Sequence, residues 1–188
     1  MRIDIMVDLE TLGTNLDSTV FQIGAVAFDI ETGDILDTFE MTADIAKADK
    51  LNVTGGTLKW WVDTDMDLFR RLLNSGKASP EQMLSDFADW FHALPGVQKD
   101  RYLWGNGILF DNAILRNQLE GIGRSYPVYY RNDRDVRTIV QLAARDAGVT
   151  ENEIHEKYRV DAYHAHNAID DARSQVQLVV GCHKQLTS

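Results

Sequence analysis

Apolar residues recur at every second position from Ile3 through Ile5 and Val7 to Leu9, with Asp4, Met6, Asp8 and Glu10 falling between them. A period of two marks a β-strand, whose successive side chains point to opposite faces. A second apolar run over residues 19–28 contains Val20, Phe21, Ile23, Val26 and Phe28, and a third covers residues 35–41. Thr32-Gly33-Asp34 between them is turn chemistry, so the second and third runs are predicted to pair as an antiparallel hairpin. The chain opens as a meander.

From residue 42 to residue 100 the spacing turns largely helical. Ser79-Pro80-Glu81-Gln82 combines an N-cap, a proline at the first helical position and a glutamine three residues after the cap. Met83, Leu84, Phe87, Trp90, Phe91 and Leu94 follow at helical intervals until Pro95-Gly96 ends the segment. Tyr102-Leu103-Trp104 predicts a short strand, Gly105-Asn106-Gly107 a turn, and residues 110–119 a helix with Asp111 at its start. Further along, a short strand is expected at residues 127–130, a helix at 136–147 closed by Gly148, and a last helix at 165–184. Neither a repeat nor a linker interrupts this series, so residues 1–188 are expected to form a single domain. A meander followed by alternating helices and short strands predicts an α/β fold with a mixed sheet and helices against it. The order resembles the ribonuclease H-like architecture, which implies three layers with helices on both faces of the sheet.

Composition narrows the class. With 44% hydrophobic and 26% charged residues, 13 Gly and 3 Pro, the 188-residue chain is neither disordered nor collagen-like. No stretch approaches the roughly eighteen apolar residues of a membrane helix, and Met1-Arg2-Ile3-Asp4 meets an acid too early for a signal peptide. A lone Cys182 forms no internal disulfide and no cysteine zinc site, so a cytoplasmic protein without a membrane partner is expected. The net charge of -10 argues against broad capture of a nucleic-acid backbone. It leaves room for a protein that holds one strand end through divalent cations.

The positions of the acids therefore matter. Asp8 and Glu10 stand two apart on the first strand, which points both carboxylates to one face about 7 Å apart. Crowded carboxylates need protons or cations, and an all-oxygen donor set suits Mg2+ or Mn2+. Asp111 sits just after a strand and turn, where open sheets gather functional groups; as a helix-start acid it also has a purely structural reading. In His164-Ala165-His166-Asn167-Ala168-Ile169-Asp170-Asp171, two histidines precede two acids. At 100° per residue Asp170 shares a face with Ser174, Gln177 and Lys184, whereas Asp171 aligns with Ala168, Gln175, Leu178 and Cys182, which favours Asp171 as the ligand. His166 falls in the loop before the helix and suits general base catalysis, with His164 as the second candidate.

In the order Asp8, Glu10, Asp111, His166, Asp171, the chain resembles the DEDDh family of 3'-5' exonucleases over nearly its whole length. Asp8-Leu9-Glu10-Thr11 resembles the first motif of that family, Phe110-Asp111 the second, and His166-Asn167-Ala168-Ile169-Asp170-Asp171 the third. Proofreading-type and RNase T-like members carry His-Asn four residues before the second-motif aspartate, whereas here Asn106 lies five before it with no histidine ahead. Thr57-Leu58-Lys59-Trp60-Trp61 and Arg134-Asp135-Val136-Arg137-Thr138 are instead similar to the phage exonuclease A and mycobacterial exoribonuclease subgroup. The resemblance implies two divalent cations, Mg2+ or Mn2+, held by Asp8, Glu10, Asp111 and Asp171, with His166 activating water. It implies release of nucleoside 5'-monophosphates from single-stranded RNA or DNA 3' ends, and is compatible with a homodimer. Substrate contacts carry over to Thr11, Leu12, Trp61, Asn106 and Phe110. Trp60, Trp61, Trp104 and Phe110 are the aromatics available for stacking on terminal bases, although adjacent residues such as Trp60 and Trp61 cannot share one helix face.

Three other readings compete. A phosphatase of the haloacid dehalogenase type would use Asp8 as nucleophile, but requires Asp-x-Asp and a parallel sheet. A ribonuclease H-like endonuclease would cut circles. A binding protein without catalysis would be expected to have lost at least one of the five site residues.

Overall fold

A computed structural model describes residues 2–159 and 165–188. Its sheet has the strand order β3-β2-β1-β4-β5, with β1 (Ile3–Thr11), β2 (Val20–Phe28), β3 (Ile35–Thr42), β4 (Arg101–Gly105) and β5 (Asp133–Asp135). The first three strands run antiparallel, and β4 and β5 add in parallel on the other side of β1. The sheet is mixed and starts with the expected meander, and the antiparallel pairing excludes the phosphatase reading.

The period of two on β1 sorts its side chains into the two layers that flank the sheet. Ile3, Ile5, Val7 and Leu9 pack with Met83, Leu84, Phe87 and Phe91 of α2 (Pro80–Ala93) and Ile114, Leu115 and Leu119 of α3 (Asp111–Gly121). On the other face Met6 meets Val140 of α4 (Val136–Ala147) and Val176 and Val179 of α6 (Ala168–Thr187). A third cluster joins Leu12 and Phe21 to Trp61, Leu68, Phe69 and Leu72 of α1 (Gly55–Ser75). Trp104, a stacking candidate on sequence, is buried, and its indole N–H donates to Asp4 Oδ1 at 2.7 Å.

Three elements depart from the expected pattern. No strand forms at residues 127–130, where Val128 enters the core and Asn132 N–H turns back to the Tyr129 carbonyl. The pairing strand is instead Asp133–Asp135, a segment without apolar residues. An additional helix, α5 (Glu151–Tyr158), starts at a capping box in which Thr150 and Glu153 satisfy each other's backbone N–H groups. The last helix begins at Ala168, three residues later than expected.

The start of α6 is set by β2. Gly24 lies under the helix so closely that a Cβ there would overlap the Ala168 carbonyl and the Ile169 nitrogen. Beside it, Gln22 Oε1 accepts the Ala168 N–H at 3.2 Å. Gly24 is also the cross-strand partner of Asp8, so the first turn of α6 is lowered directly onto the acidic end of β1. By contrast, a Cβ at Gly121, in the last turn of α3, would meet nothing within 4 Å. Urea unfolding is therefore expected to show Gly24→Ala destabilised by about 1–3 kcal/mol through overpacking. Gly121→Ala is expected to gain up to about 1 kcal/mol from helix propensity. An unchanged midpoint for Gly24→Ala would mean that the α6 contact is soft.

Candidate active site

The site arises where the sheet opens between parallel neighbours. β1 and β4 pair only from Ile3↔Arg101 to Met6↔Trp104, after which β4 ends at Gly105 while β1 continues to Thr11. Asp8 and Glu10 lie on this extension, which is paired with β2 but not with β4, and face the α6 side, as Met6 does. The chain leaving β4 turns through residues 106–110 into α3, and the backbone N–H groups of Leu9, Asn106 and Asp111 itself favour the charged form of the Asp111 carboxyl against its burial. Asp111 thus occupies the gap that β4 vacates. At the end of β1, the register shifts between Glu10↔Gln22 and Thr11↔Val20, leaving Phe21 as a bulge residue that turns toward Trp61.

Helix α6 brings the remaining acid. Asp171, in its first turn, has Oδ2 2.8 Å from the backbone nitrogen of His166. Asp170 lies 3.7 Å from Arg173 instead, so the helical face that favoured Asp171 is the one turned to the site. Oxygen atoms of Asp8, Glu10 and Asp171 come within 4.8 Å of one another, and Asp111 lines the same cavity without joining that triad. Gln175, one turn after Asp171, donates from Nε2 to Asp8 Oδ1 at 2.9 Å. Sequence reasoning placed Gln175 on the Asp171 stripe but did not single it out.

The cavity has a volume of about 670 Å³. Asp8, Glu10, Thr11, Trp61, Asn106, Phe110, Asp111, His166 and Asp171 all line it, together with Thr14, Thr54, Gly56, Thr57 and Trp60. Leu12 does not; it is packed in the α1 cluster. The two tryptophans divide as adjacent helical residues must. Trp61 is 1% exposed, stacks on Phe69 at 5.0 Å and donates its indole N–H to the Thr11 carbonyl, whereas Trp60 is 43% exposed. Of these two stacking candidates Trp60 carries the accessible ring, and it meets the His166 imidazole edge to face at 4.9 Å. His166 has φ +63°, a left-handed conformation rare for a residue with a Cβ. His164 lies outside the described residues.

Electrostatically the site is poised for a cation. Removal from water, then the charges of Asp111 and Asp171, holds the Asp8 carboxyl well above its usual range. Burial, then Asp8, pushes Glu10 up to about 10, and burial brings Asp111 to about 7 against the opposing pull of its backbone donors. Asp171 is also raised, chiefly by burial. Four oxygen-donor side chains whose ionisation is this costly fit a hard divalent ion, which would neutralise them without a proton.

A family model for the Rv2179c-like 3'-5' exoribonuclease domain matches residues 3–182. The exodeoxyribonuclease of Enterobacteria phage T4 is 21% identical over 199 residues, covering 94% of this chain and 87% of the phage protein. Among solved structures, cell-death related nuclease 4 (CRN-4) superposes with a TM-score of 0.72 at 16% identity, over 97% of this chain and 64% of that one. The chain therefore spans less than two thirds of CRN-4. The nuclease domain of 3'hExo, a DEDDh family member bound to rAMP, gives 0.66 at 15% identity, over 97% and 92% of the two chains. At these identities the superpositions speak to the fold, which is the ribonuclease H-like one.

The crowding of the acids has a measurable consequence. Because the folded-state pKa of Glu10 is raised above its ordinary 4.5, the stability tied to its protonated form is complete below that value and is lost progressively as the pH climbs toward 10. In EDTA the melting temperature is expected to fall steadily between about pH 5 and about pH 9. Asp8→Asn, which keeps an acceptor for Gln175 and removes a charge, is expected to raise the EDTA melting temperature by several degrees at pH 8 and to flatten that slope. Scanning calorimetry across the range checks both, and a rising slope would contradict the electrostatic account.

Proposed function

The chain belongs to the family of Rv2179c-like 3'-5' exoribonuclease domains, and from that premise we propose that it removes nucleotides one at a time from the 3' end of single-stranded nucleic acid, with two divalent cations and His166 as general base. The observation that carries this reading is the convergence of Asp8, Glu10, Asp111, Asp171 and His166 on one cavity. Asp8, Glu10 and Asp171 are close enough together to share an ion, and Asp111, which lines the same cavity, would help to hold a second. When bound, the ions offset the charge that accumulates on the phosphate and help ionise the attacking water. Mg2+ and Mn2+ are the candidates by donor type.

The remaining chemistry belongs to the chain. Asp8 is held by Gln175 and Asp171 by the His166 backbone, so both carboxylates are oriented before any ion arrives. His166 accepts the proton of the attacking water through its imidazole. The water oxygen bonds to phosphorus as the bond from phosphorus to the 3' oxygen of the preceding nucleotide breaks. A nucleoside 5'-monophosphate leaves, and the shortened strand keeps a free 3' hydroxyl. Trp60 offers an exposed ring for the terminal base beside His166, a contact that tolerates any sequence. Thr11, Asn106 and Phe110 line the same cavity as further contacts, while Trp61 supports the wall from the core.

Single-stranded RNA and DNA oligonucleotides labelled at the 5' end should be shortened from the 3' end in Mg2+ or Mn2+ and remain intact in EDTA. Circular strands should survive, and the faster linear substrate names the sugar preference. Asp8→Ala should abolish the ladder, and His166→Ala should slow it about 10²- to 10⁴-fold. Full activity in purified Asp8→Ala would sink the metal assignment, and cutting of circles would make the protein an endonuclease. Trp60→Ala should raise KM in line with the loss of about 1–3 kcal/mol of stacking, with a smaller change in kcat. Steady-state kinetics on one oligonucleotide decides that point.

A further inference from the structure

The segment Asp133–Asp135 and the start of α4 have no part in the reaction as proposed, yet their side chains converge on the turn that delivers Asp111. Asp135 is the N-cap of α4, and its Oδ1 accepts the Thr138 N–H at 2.9 Å. Its other oxygen turns away from the helix and accepts the backbone N–H of Ile108 at 3.1 Å. One carboxylate therefore ties two elements together. Next to Ile108, Gly107 has φ +110°, and the Arg137 guanidinium packs closely against it, with atoms 3.1–3.4 Å from where a Cβ would stand. Asp133 Oδ1 accepts from Asn112 Nδ2 at 2.8 Å, immediately after Asp111. Helix α3 itself starts at Phe110 without a side-chain cap. Its first turn depends on neighbours to hold it in place.

We infer that Asp135 is a positioning residue for Asp111: by tethering the Ile108 N–H it locks the 106–110 turn to the frame of β5 and α4. The consequence runs through short covalent distances. The turn leads directly into Asp111 and carries the Asn106 N–H, one of the backbone groups that favour the charged form of its carboxyl. With the tether released, Asp111 leaves the gap at the end of β4, and the acids on β1 and α6 lose their counterpart from α3. This inference rests on the metal-site reading above. It assigns a role to the Arg134-Asp135-Val136-Arg137-Thr138 stretch, in which Arg134 donates to backbone carbonyls and lies over the Tyr102 ring.

The two jobs of Asp135 can be separated. Serine caps a helix as well as aspartate but is one atom too short to bridge to Ile108. Calorimetric titration of Mn2+ into the full chain is therefore expected to show Asp135→Ser weakened about 10- to 100-fold, the usual cost of losing a residue that orients a ligand. Its melting temperature in EDTA should stay within about 2 °C of the unsubstituted chain. Asp135→Thr, a cap of different bulk, should behave alike and guards against a misfolded serine variant. In an Asp111→Asn background, Asp135→Ser should cost no further Mn2+ affinity, because the residue it positions no longer binds as a carboxylate. Equal Mn2+ affinity with and without Asp135, or an undiminished loss in the Asp111→Asn background, overturns the inference and leaves the metal reading standing. No Mn2+ uptake by the unsubstituted chain overturns the metal reading and this inference with it.

Discussion

Four carboxylates converge on one cavity where β4 stops and β1 runs on, and burial together with their mutual charges makes each of them costly to ionise. Their mutual repulsion and desolvation work against folding, and the architecture around them offsets that cost with contacts made elsewhere. The four acids come from three elements: β1 for Asp8 and Glu10, the start of α3 for Asp111, and the first turn of α6 for Asp171. No local interaction could bring the three together. The sheet does so, because the strand that carries two acids sits at its centre and has a helix layer on either side.

The closeness of α6 to β1 depends on what is missing from β2. Gly24 offers no side chain, so the helix backbone settles onto the strand, and Gln22 receives the first free N–H of the helix in place of an N-cap side chain. Asn167, at the N-cap, makes no capping bond of its own. The start of α3 shows the same economy, since Phe110 caps nothing and the turn is held by Asp135 and Asp133 from the neighbouring strand. In both cases a helix that presents an acid to the cavity has its terminus fixed by tertiary contacts. A local cap would satisfy the helix but would not fix its distance from β1.

This explains which features could be seen in the sequence. Asp8 and Glu10 were legible because a period of two puts both on one face, and Asp171 was favoured over Asp170 because a period of 3.6 puts only one of them toward the core side. The meander was legible from Thr32-Gly33-Asp34. Strand β5 was not, because Asp133-Arg134-Asp135 has no apolar residue, and it pairs through hydrogen bonds such as Leu103 N–H to the Asn132 carbonyl. Which of the two tryptophans stays exposed and which is buried was also hidden. Either face of α1 could have met the core, and the choice follows from Phe21, displaced toward α1 by a bulge that no hydrophobic pattern announces. Gln175 was visible as a position, but a polar residue on a half-buried stripe gives no sign of which oxygen it will reach.

The charge distribution adds a constraint on how a polyanion could be held. The described residues that line the cavity include four acids and a histidine but no lysine or arginine, and the chain as a whole carries a net charge of -10. A nucleic-acid strand approaching such a surface gains nothing from long-range attraction, unlike one drawn into a basic groove. On the reading proposed here, attraction has to be supplied at short range, by divalent ions that reverse the sign of the carboxylate cluster and by ring stacking, which is indifferent to charge. Both contacts are confined to a few ångströms around the scissile bond. On that reading the strand is held by one base, against Trp60, and by the phosphate beside it, against the acids, and neither contact draws on the length of the strand.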